Sequence, residues 1–292
     1  MAESKIEIYD LIPQKYYPKT VFIKENDDFD NVVATFHNSN IQYPFIAKPD
    51  IGLRGSAVKK VHTLEELIHY NLNANFDYLI QELIPYENEV GIFYVRFPNE
   101  KTGKITGIVS KEFLAVTGNG VSTVEELIKA NPRFALQFKA LKKEYCKKLL
   151  DVPLIGQVLN LVPYGNHARG AKFIDGSKWI TAELTQTIND LCMQIDGFYY
   201  GRLDIMYHSI TELSKGNQFL VVEINGAGSE PTHIYDPKHS LLFAWKELAR
   251  HITYMYHISV ANHKNGTPYL SHKEGMAEYR KHLEQSNKIL NF

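Results

Sequence analysis

Apolar and polar residues alternate in two short segments of the last third of the chain, Gly-Arg-Leu-Asp-Ile and Val-Val-Glu-Ile-Asn. A period of two predicts β-strands, in which side chains two positions apart point to the same face. Arg202 and Asp204 therefore share one face of the first strand. Glu223 and Asn225 likewise share one face of the second. The connecting stretch is polar and contains a Gly-Asn step, which favours antiparallel pairing as a long hairpin.

The rest of the chain alternates strand-like and helix-like patterns, which predicts a mixed α/β (α+β) fold. Apolar residues at helical spacing predict helices over 133–150, 183–196 and 240–256. Two Thr-x-x-Glu sequences, at Thr63 and Thr123, predict capped helix starts. Further strands are predicted over 20–24, 44–48, 57–61, 78–83, 90–96 and 105–117. The residues predicted to be buried in the last long helix are Leu241, Trp245, Leu248, Ile252 and Met255.

Composition excludes several classes of partner. The 292 residues could form one large domain or two modest ones. Lys and Arg total 32 against 33 Asp and Glu, so no positive field indicates nucleic acid or an anionic membrane. The N-terminus lacks the apolar run of a signal peptide, and charges interrupt every hydrophobic segment. Cys146 and Cys192 form neither a zinc motif nor a disulfide framework, so we expect a cytoplasmic protein.

The two alternating strands suggest a metal site. Directly opposed residues on paired strands lie about 5 Å apart at Cβ. That spacing could place Asp204, Glu223 and Asn225 on one hard cation, with Arg202 beside it. Oxygen ligands that include two carboxylates suit magnesium bound together with the phosphates of a nucleotide. The alternative is that these residues form the solvent-facing side of an amphipathic hairpin.

A lysine and a glycine-containing loop suggest a phosphate site. Lys48 ends a predicted strand, and the loop that follows contains Gly52 and Gly55. Glycines let backbone N–H groups approach phosphate oxygens closely, and a nearby lysine supplies a point charge. The spacing matches neither a Walker A motif nor the order found in kinases. A plain β-turn beside an exposed lysine is the alternative.

The predicted strand over 78–83 breaks at Pro85, which would leave unpaired backbone groups at its end. Those groups could hydrogen-bond the edge of an adenine, and Glu89 could accept hydrogen bonds from ribose hydroxyls. The alternative is an ordinary strand end with solvated glutamates.

Two further segments have the residue types of a substrate site. His167, Arg169 and Lys172 lie between strand-like runs and could bind an anion, or they could form a surface turn. The small residues after the second alternating strand, including Gly228, would let backbone N–H groups face a reacting carbonyl, as in an oxyanion hole.

Taken in order, these motifs resemble the ATP-grasp superfamily, and within it the D-alanine–D-alanine ligase-like carboxylate–amine ligases. The resemblance depends on the strand lysine with its glycine loop, a Gln-Glu hinge at Glu82, Arg-Leu-Asp and Glu-Ile-Asn, and it covers nearly the whole chain. The segment that begins at Asn119 also resembles Asp-Gly-x-x-Thr-x-x-Glu-Leu-Ile of some ATP-grasp amino-acid ligases, with asparagine in place of the aspartate.

The resemblance implies an ATP-grasp fold, in which two α/β subdomains clasp ATP between two sheets. The implied division is a small subdomain with an N-terminal stub over 1–87, a large subdomain over 88–260, and a tail over 261–292 that packs on the large subdomain. The implied reaction is ATP-dependent formation of a C–N bond through an acyl phosphate, with small-molecule carboxylate and amine substrates. The implied cofactors are ATP and two Mg²⁺ ions, with Mn²⁺ as an alternative.

The resemblance also implies roles for individual residues. The implied nucleotide-binding residues are Lys48, Gly52, Arg54, Gly55, Ser56, Glu82, Leu83, Ile84, Glu89 and Lys172. The implied catalytic residues are Arg202, Lys48 and Gly228, and the implied metal ligands are Asp204, Glu223 and Asn225. The implied substrate-binding residues are His167, Arg169, Asn119 and Ser229.

One departure from the family leaves alternatives open. Such ligases usually have a further N-terminal α/β domain, whereas only residues 1–19 precede the first predicted strand here. We expect the domain to be missing, supplied by a partner, or replaced by a substrate site of different design, and a homo-oligomer is a further expectation. Lys5 and Lys15 are candidate phosphate contacts in this short region. The other candidate functions are an ATP-grasp kinase and a non-catalytic nucleotide-binding module, and Arg202 argues against the latter.

Overall fold

Two antiparallel sheets form the body of the protein, and each has its own hydrophobic core. The computed structural model describes residues 4–53, 55–161 and 171–292. Helices and strands are mixed along the chain, as the sequence predicts. Within the described residues, no helix is both long enough and apolar enough to cross a bilayer.

The smaller sheet has four strands in the order β1–β4–β2–β3, and helix α1 precedes it. Its two helices begin with capping residues: the Asp28 side chain accepts from the N–H of Asn31, and the Thr63 side chain accepts from the N–H of Glu66. The Glu66 carboxylate accepts from the N–H of His62, so only half of the predicted capping box forms. The elements are α1 (Lys5–Leu11), β1 (Thr20–Ile23), α2 (Phe29–Asn38), β2 (Phe45–Pro49), β3 (Lys59–Val61), α3 (Leu64–Asn73) and β4 (Tyr78–Glu82).

The larger sheet has five strands in the order β11–β10–β5–β6–β9, all antiparallel. Helix α7 packs on one face, where Leu184, Ile188 and Leu191 join the core of the sheet. A short helix, α8, lies in the connection between β10 and β11. The elements are β5 (Asn88–Val95), β6 (Lys104–Glu112), β9 (Lys172–Asp175), α7 (Ala182–Cys192), β10 (Tyr200–Tyr207), α8 (Ile210–Ser214) and β11 (Phe219–Asn225).

A third, smaller unit separates β6 from β9 and has its own apolar cluster. The single strand predicted over 105–117 is in fact two strands, because β7 leaves the large sheet and pairs with β8. The helix predicted over 133–150 is likewise divided into α5, α6 and a 3-10 turn. Thr123 and Glu126 form the full capping box predicted for α4. The elements are β7 (Ala115–Thr117), α4 (Val124–Ala130), α5 (Pro132–Ala135), α6 (Phe138–Tyr145) and β8 (Val158–Asn160).

Helix α9 (Leu241–Lys264) packs on the second face of the large sheet, with a buried side that matches the predicted one only in part: Leu248 and Met255 are half-buried. Leu241, Trp245 and Ile252 are 63%, 59% and 60% exposed, so the prediction that they are buried is wrong. The buried side contains Glu247, His251 and Ile258. The His251 ring stands edge-on against Phe93, and the Glu247 carboxylate pairs with Arg250 and contacts the ring of His233. Because the buried side is partly polar, hydrophobic spacing could not identify it.

Helix α10 (His272–Leu290) returns to the small sheet. Ile289 belongs to the core of that sheet, and the Phe292 ring lies 4.9 Å from the ring of Tyr70. Lys288 also forms an ion pair with Glu25, 2.8 Å away. The sequence prediction places this tail on the large subdomain, whereas its last turns pack on the small sheet.

Candidate functional site

The predicted hairpin between the two alternating strands is confirmed. Across β10 and β11, Arg202 is paired with Asn225 and Asp204 with Glu223. A β-bulge follows directly after Asp204, so the register changes beyond this point. The four polar side chains therefore lie together at one end of the hairpin, on the face that the alternation predicts.

Asp204 is the most heavily paired carboxylate of the hairpin. It is 4% exposed, and Arg202 donates to both of its oxygens, from Nε and Nη2, at 3.0 Å each. Lys111 Nζ lies 3.1 Å from Oδ1, and Asn225 Nδ2 donates to Oδ2 at 3.3 Å. Burial alone would raise the pKa of Asp204, but the charges and hydrogen bonds of Arg202 and Lys111 lower it to about 2. Asp204 is therefore ionised at neutral pH.

Lys111 is a buried cation that the sequence analysis missed. It lies on β6 opposite Glu89 of β5, and its ammonium contacts both the Glu89 carboxylate and Asp204. Burial lowers the pKa of Lys111, but the charges of Asp204 and Glu89 outweigh this effect and raise it. Glu89, the predicted ribose ligand, therefore lies beside the predicted metal site. Only the strand register could have revealed this contact, since nothing in the sequence around Lys111 distinguishes it from a surface lysine.

Lys48 lies at the junction of the two sheets. Its Nζ donates to Gln81 Oε1 at 2.9 Å and to the Tyr9 hydroxyl at 3.1 Å. The Tyr9 hydroxyl in turn donates to the backbone carbonyl of Val222 on β11, so it links the small sheet to the large one. Burial lowers the pKa of Lys48 to about 8, although the charges of Glu223 and Asp50 oppose this shift.

Lys5, at the start of α1, reaches the same region. Its Nζ lies 3.4 Å from Glu223 Oε1 and donates to the carbonyl of Asp50 at 3.3 Å. Gly52 is packed against this ammonium: a Cβ at that position would lie 2.5 Å from Nζ. A side chain at this position would therefore push the Lys5 ammonium away from its present place. Lys5 is a candidate phosphate contact in the sequence, and the fold brings it beside Glu223.

A cleft of about 290 Å³ between the two sheets brings some of these groups together, but Lys48, Asp204 and Lys111 are not among its described lining residues. Lys5 and Arg202 supply positive charge, and Glu223 and Asn225 supply oxygen atoms. Gly228 and Ser229 line the same cleft, and the Ser229 hydroxyl donates to the carbonyl of Gly226 at 2.7 Å. Other lining residues are Ile8, Tyr9, Gly52 and His282. The cleft can hold an anionic group and a cation side by side.

A second cavity, of about 640 Å³, lies at the end of β4, where the sequence predicts the adenine site. Glu82 and Leu83 line it, together with Tyr16, Tyr86 and Phe219. The Glu82 carboxylate also accepts from the N–H of Lys19 at 2.9 Å, which ties the ends of β1 and β4 together. Ile84 is half-buried just beyond β4.

The remaining predicted residues have mixed placements. Gly55 adopts a left-handed conformation with φ of 79°, and the N–H of Ser56 donates to Leu53 at 2.9 Å, so the glycine loop is a tight turn. Arg54, His167 and Arg169 lie outside the described residues.

Two predicted residues lie away from both cavities. The side-chain oxygen Oδ1 of Asn119 accepts hydrogen bonds from the backbone N–H groups of Val121 and Ser122, at 3.0 and 2.7 Å, and so stabilises its own turn. Lys172 lies on the edge strand β9, with Nζ 3.7 Å from Glu112. Neither residue is among the described ones that line the cleft or the second cavity.

The hairpin offers the oxygen ligands that magnesium prefers, but its residues differ in how accessible those oxygen atoms are. Glu223 and Asn225 face the cleft with oxygen atoms. A carboxylate offers about four acceptor positions, and Asp204 already has four donors, from Arg202, Lys111 and Asn225. Among the described residues, no group of three or more His, Cys, Asp and Glu side chains could hold a metal. Magnesium therefore fits at Glu223 and Asn225, and it reaches Asp204 only if a donor leaves.

No protein-family model matches the sequence, and no curated protein is significantly similar to it. Among solved structures, the chain is similar to a bifunctional glutathione synthetase from Pasteurella multocida, with 15% identity and a TM-score of 0.44. That match covers 88% of this chain and 35% of the synthetase, so the chain spans about a third of that protein.

Two further similar structures are ligases. D-alanine--D-alanine ligase from Bacillus anthracis has 13% identity and a TM-score of 0.48, over 89% of this chain and 68% of the ligase. VanG D-Ala:D-Ser ligase from Enterococcus faecalis has 15% identity and a TM-score of 0.46, over 85% of this chain and 60% of the ligase. All three are ATP-grasp enzymes, the superfamily that the sequence motifs resemble. At these values the similarity assigns no reaction to this chain.

Proposed function

We propose that the protein is an ATP-dependent carboxylate–amine ligase of the ATP-grasp type, which binds Mg-ATP between its two sheets and works through an acyl phosphate. The observation that supports this most is the position of Arg202. Its guanidinium lines the cleft beside Glu223 and Asn225, while Asp204 fixes it from behind with two hydrogen bonds. A fixed guanidinium next to candidate phosphate and metal ligands suits a reaction in which negative charge develops on a transferred group.

Nucleotide binding is assigned to both cavities. Adenine would occupy the cavity beside Glu82 and Leu83, and the triphosphate would extend toward the cleft. Lys5 is placed to contact a phosphate directly. Lys48 would bind phosphate after exchanging the Tyr9 hydroxyl for a phosphate oxygen. The turn that contains Gly52, Gly55 and Ser56 would close over the phosphates.

The proposed chemistry has two transfers. A substrate carboxylate oxygen attacks the γ-phosphorus, and ADP leaves, which gives an acyl phosphate. The amine then attacks the acyl carbon, loses a proton, and displaces inorganic phosphate. Arg202 neutralises charge in both steps, and the backbone N–H groups near Gly228 and Ser229 are placed to stabilise the tetrahedral carbon's oxygen. Magnesium held by Glu223 and Asn225, with Asp204 after loss of a donor, would neutralise phosphate charge.

The proposed substrates are a small carboxylate and an amine. A screen of both substrate classes tests the proposal and identifies them. ADP and inorganic phosphate are measured with a panel of carboxylates, each with and without a panel of amines. We expect ADP and phosphate in equal amounts, together with a condensed product, only when both substrates are present. A stable phosphorylated product without phosphate release would identify a kinase instead. Nucleotide binding without ADP release for any pair in the panel would contradict an enzymatic role.

A further inference from the structure

Asp204 does not line the cleft, although the other hairpin residues do. The Arg202 side chain lies between it and the cleft, and both Asp204 oxygens have two donors each. A Cβ on the neighbouring Gly91 would lie 3.0 Å from Asp204 Oδ1, so the carboxylate is also tightly packed. A divalent ion can therefore reach Asp204 only by taking the position of one of its donors.

Lys111 is the donor whose charge opposes an incoming cation. Arg202 holds Asp204 at two points, and the Asn225 amide is neutral and makes a longer contact of 3.3 Å, whereas Lys111 makes one charged contact with Oδ1. Loss of the Asn225 contact alone would leave the Lys111 ammonium 3.1 Å from the carboxylate that the ion has to bind. This ammonium also hydrogen-bonds Glu89, so it keeps a charged partner when it leaves Asp204. The Lys111 side chain is 5% exposed and the Glu89 side chain 12%, so this exchange takes place in a largely dry environment. A positive charge there repels an incoming cation strongly.

We propose that the Lys111 ammonium is a resident cation of this site, and that a divalent ion must displace it from Asp204 toward Glu89 in order to bind. The proposal rests on the proposed function, because it concerns the magnesium that accompanies the nucleotide. On this proposal Lys111 helps to set the affinity of the site for metal. Its positive charge weakens metal binding when no nucleotide is present. The negative charge of the nucleotide phosphates then favours binding of the divalent ion. Metal binding and nucleotide binding are then coupled through one side chain.

The test measures Mn²⁺ affinity by electron paramagnetic resonance, with and without a saturating non-hydrolysable ATP analogue. Lys111→Met keeps the volume of the side chain and removes its charge. It should bind Mn²⁺ at least about tenfold more tightly than the wild type, the scale of one charge-assisted hydrogen bond. The gain should be larger without the analogue than with it. Lys104→Met, at the exposed start of the same strand, is the matched control and should behave like the wild type.

A second variant separates competition from misfolding. Lys111→Met leaves Glu89 without its ammonium partner, so the charge-balanced double variant Glu89→Gln/Lys111→Met is measured beside it. Both variants should bind Mn²⁺ more tightly than the wild type. Equal or weaker Mn²⁺ binding in both folded variants would overturn the inference and leave the proposed function intact. If none of the proteins, wild type included, binds the analogue or Mn²⁺ in its presence, the proposed function fails as well.

Discussion

Arg202 and Asp204, two residues apart on β10, form a two-point ion pair with both N···O distances at 3.0 Å. Both side chains lie on the same face of the strand. The Asp204 carboxylate fixes the Arg202 guanidinium, and Arg202 lines the cleft. Arg202 is therefore held in one orientation before any ligand binds. Such preorganisation is what electrostatic stabilisation of a transition state requires.

Replacement of Arg202 separates catalysis from binding. Arg202→Ala should bind ATP within a fewfold of the wild type, because Lys5 and Lys48 remain. Carboxylate-dependent ADP release should fall by about two to three orders of magnitude, the scale for loss of one oxyanion-stabilising donor. Arg202→Lys should rescue poorly, since an ammonium cannot reproduce the two-point contact with Asp204. Calorimetry and ADP assays on the same preparations measure both quantities, and a parallel collapse of affinity and rate would make Arg202 a nucleotide or structural residue.

The pKa of Lys48 predicts a pH dependence of nucleotide binding. Burial lowers this pKa to about 8, and only the protonated ammonium offers phosphate a positive charge and a charge-assisted hydrogen bond. Affinity for an ATP analogue should therefore be constant below pH 8 and fall by up to about tenfold per pH unit above it. Lys48→Arg should remove this decline because arginine stays charged, and Lys48→Ala should bind weakly at every pH. The comparison is a titration series from neutral to alkaline pH, and a wild-type profile that stays flat would contradict the assignment.

The hydroxyl of Tyr9 should matter for stability. It contacts Lys48, Gln81 and the carbonyl of Val222, and the residue is almost fully buried. Tyr9→Phe removes one hydrogen bond from each of these groups, although Lys48 keeps Gln81 and Gln81 keeps Thr20. Because one of the lost hydrogen bonds is charge-assisted and all are buried, we expect a loss of about 1–3 kcal/mol in the free energy of unfolding. Tyr17→Phe is the matched control: the two rings stack 4.9 Å apart, but the Tyr17 hydroxyl contacts only the exposed Gln14 in the described structure. Denaturant unfolding that shifts equally in both variants would refute the linking role of Tyr9.

Glu223→Gln tests the metal position. The side chain is 35% exposed and its pair with Lys5 spans 3.4 Å, so its loss should change the free energy of unfolding by less than about 1 kcal/mol. Turnover at ordinary magnesium concentrations should be lost, because the amide removes the charge that a hard cation needs. ADP release and thermal unfolding are measured on the same samples. A folded variant with wild-type turnover would place the metal elsewhere.

Local sequence patterns predict the parts of this protein whose geometry is itself local. Alternation places Arg202 and Asp204 on one face of β10, and Glu223 and Asn225 on one face of β11, whereas the register that pairs them is seen only in the structure. The capping box at Thr123 is local in the same way. These features need no knowledge of the remaining fold.

Other features depend on contacts that no local pattern encodes. Lys111 meets Asp204 only because β5 lies between β6 and β10, and Tyr9 meets Lys48 through α1, which the sequence analysis did not predict. The predicted buried face of α9 is partly wrong for a related reason. The helix packs on the sheet through the polar residues Glu247 and His251, so the most apolar side of the helix is not the side that is buried.

Transfer of an oxygen atom from the substrate carboxylate to phosphate tests the proposed reaction most directly. A carboxylate substrate labelled with oxygen-18 is turned over with ATP and amine, and the released phosphate is analysed by mass spectrometry. An acyl-phosphate ligase moves one carboxylate oxygen into each phosphate that it releases, so the account predicts one labelled oxygen per phosphate. Unlabelled phosphate from a reaction that forms the condensed product would contradict it.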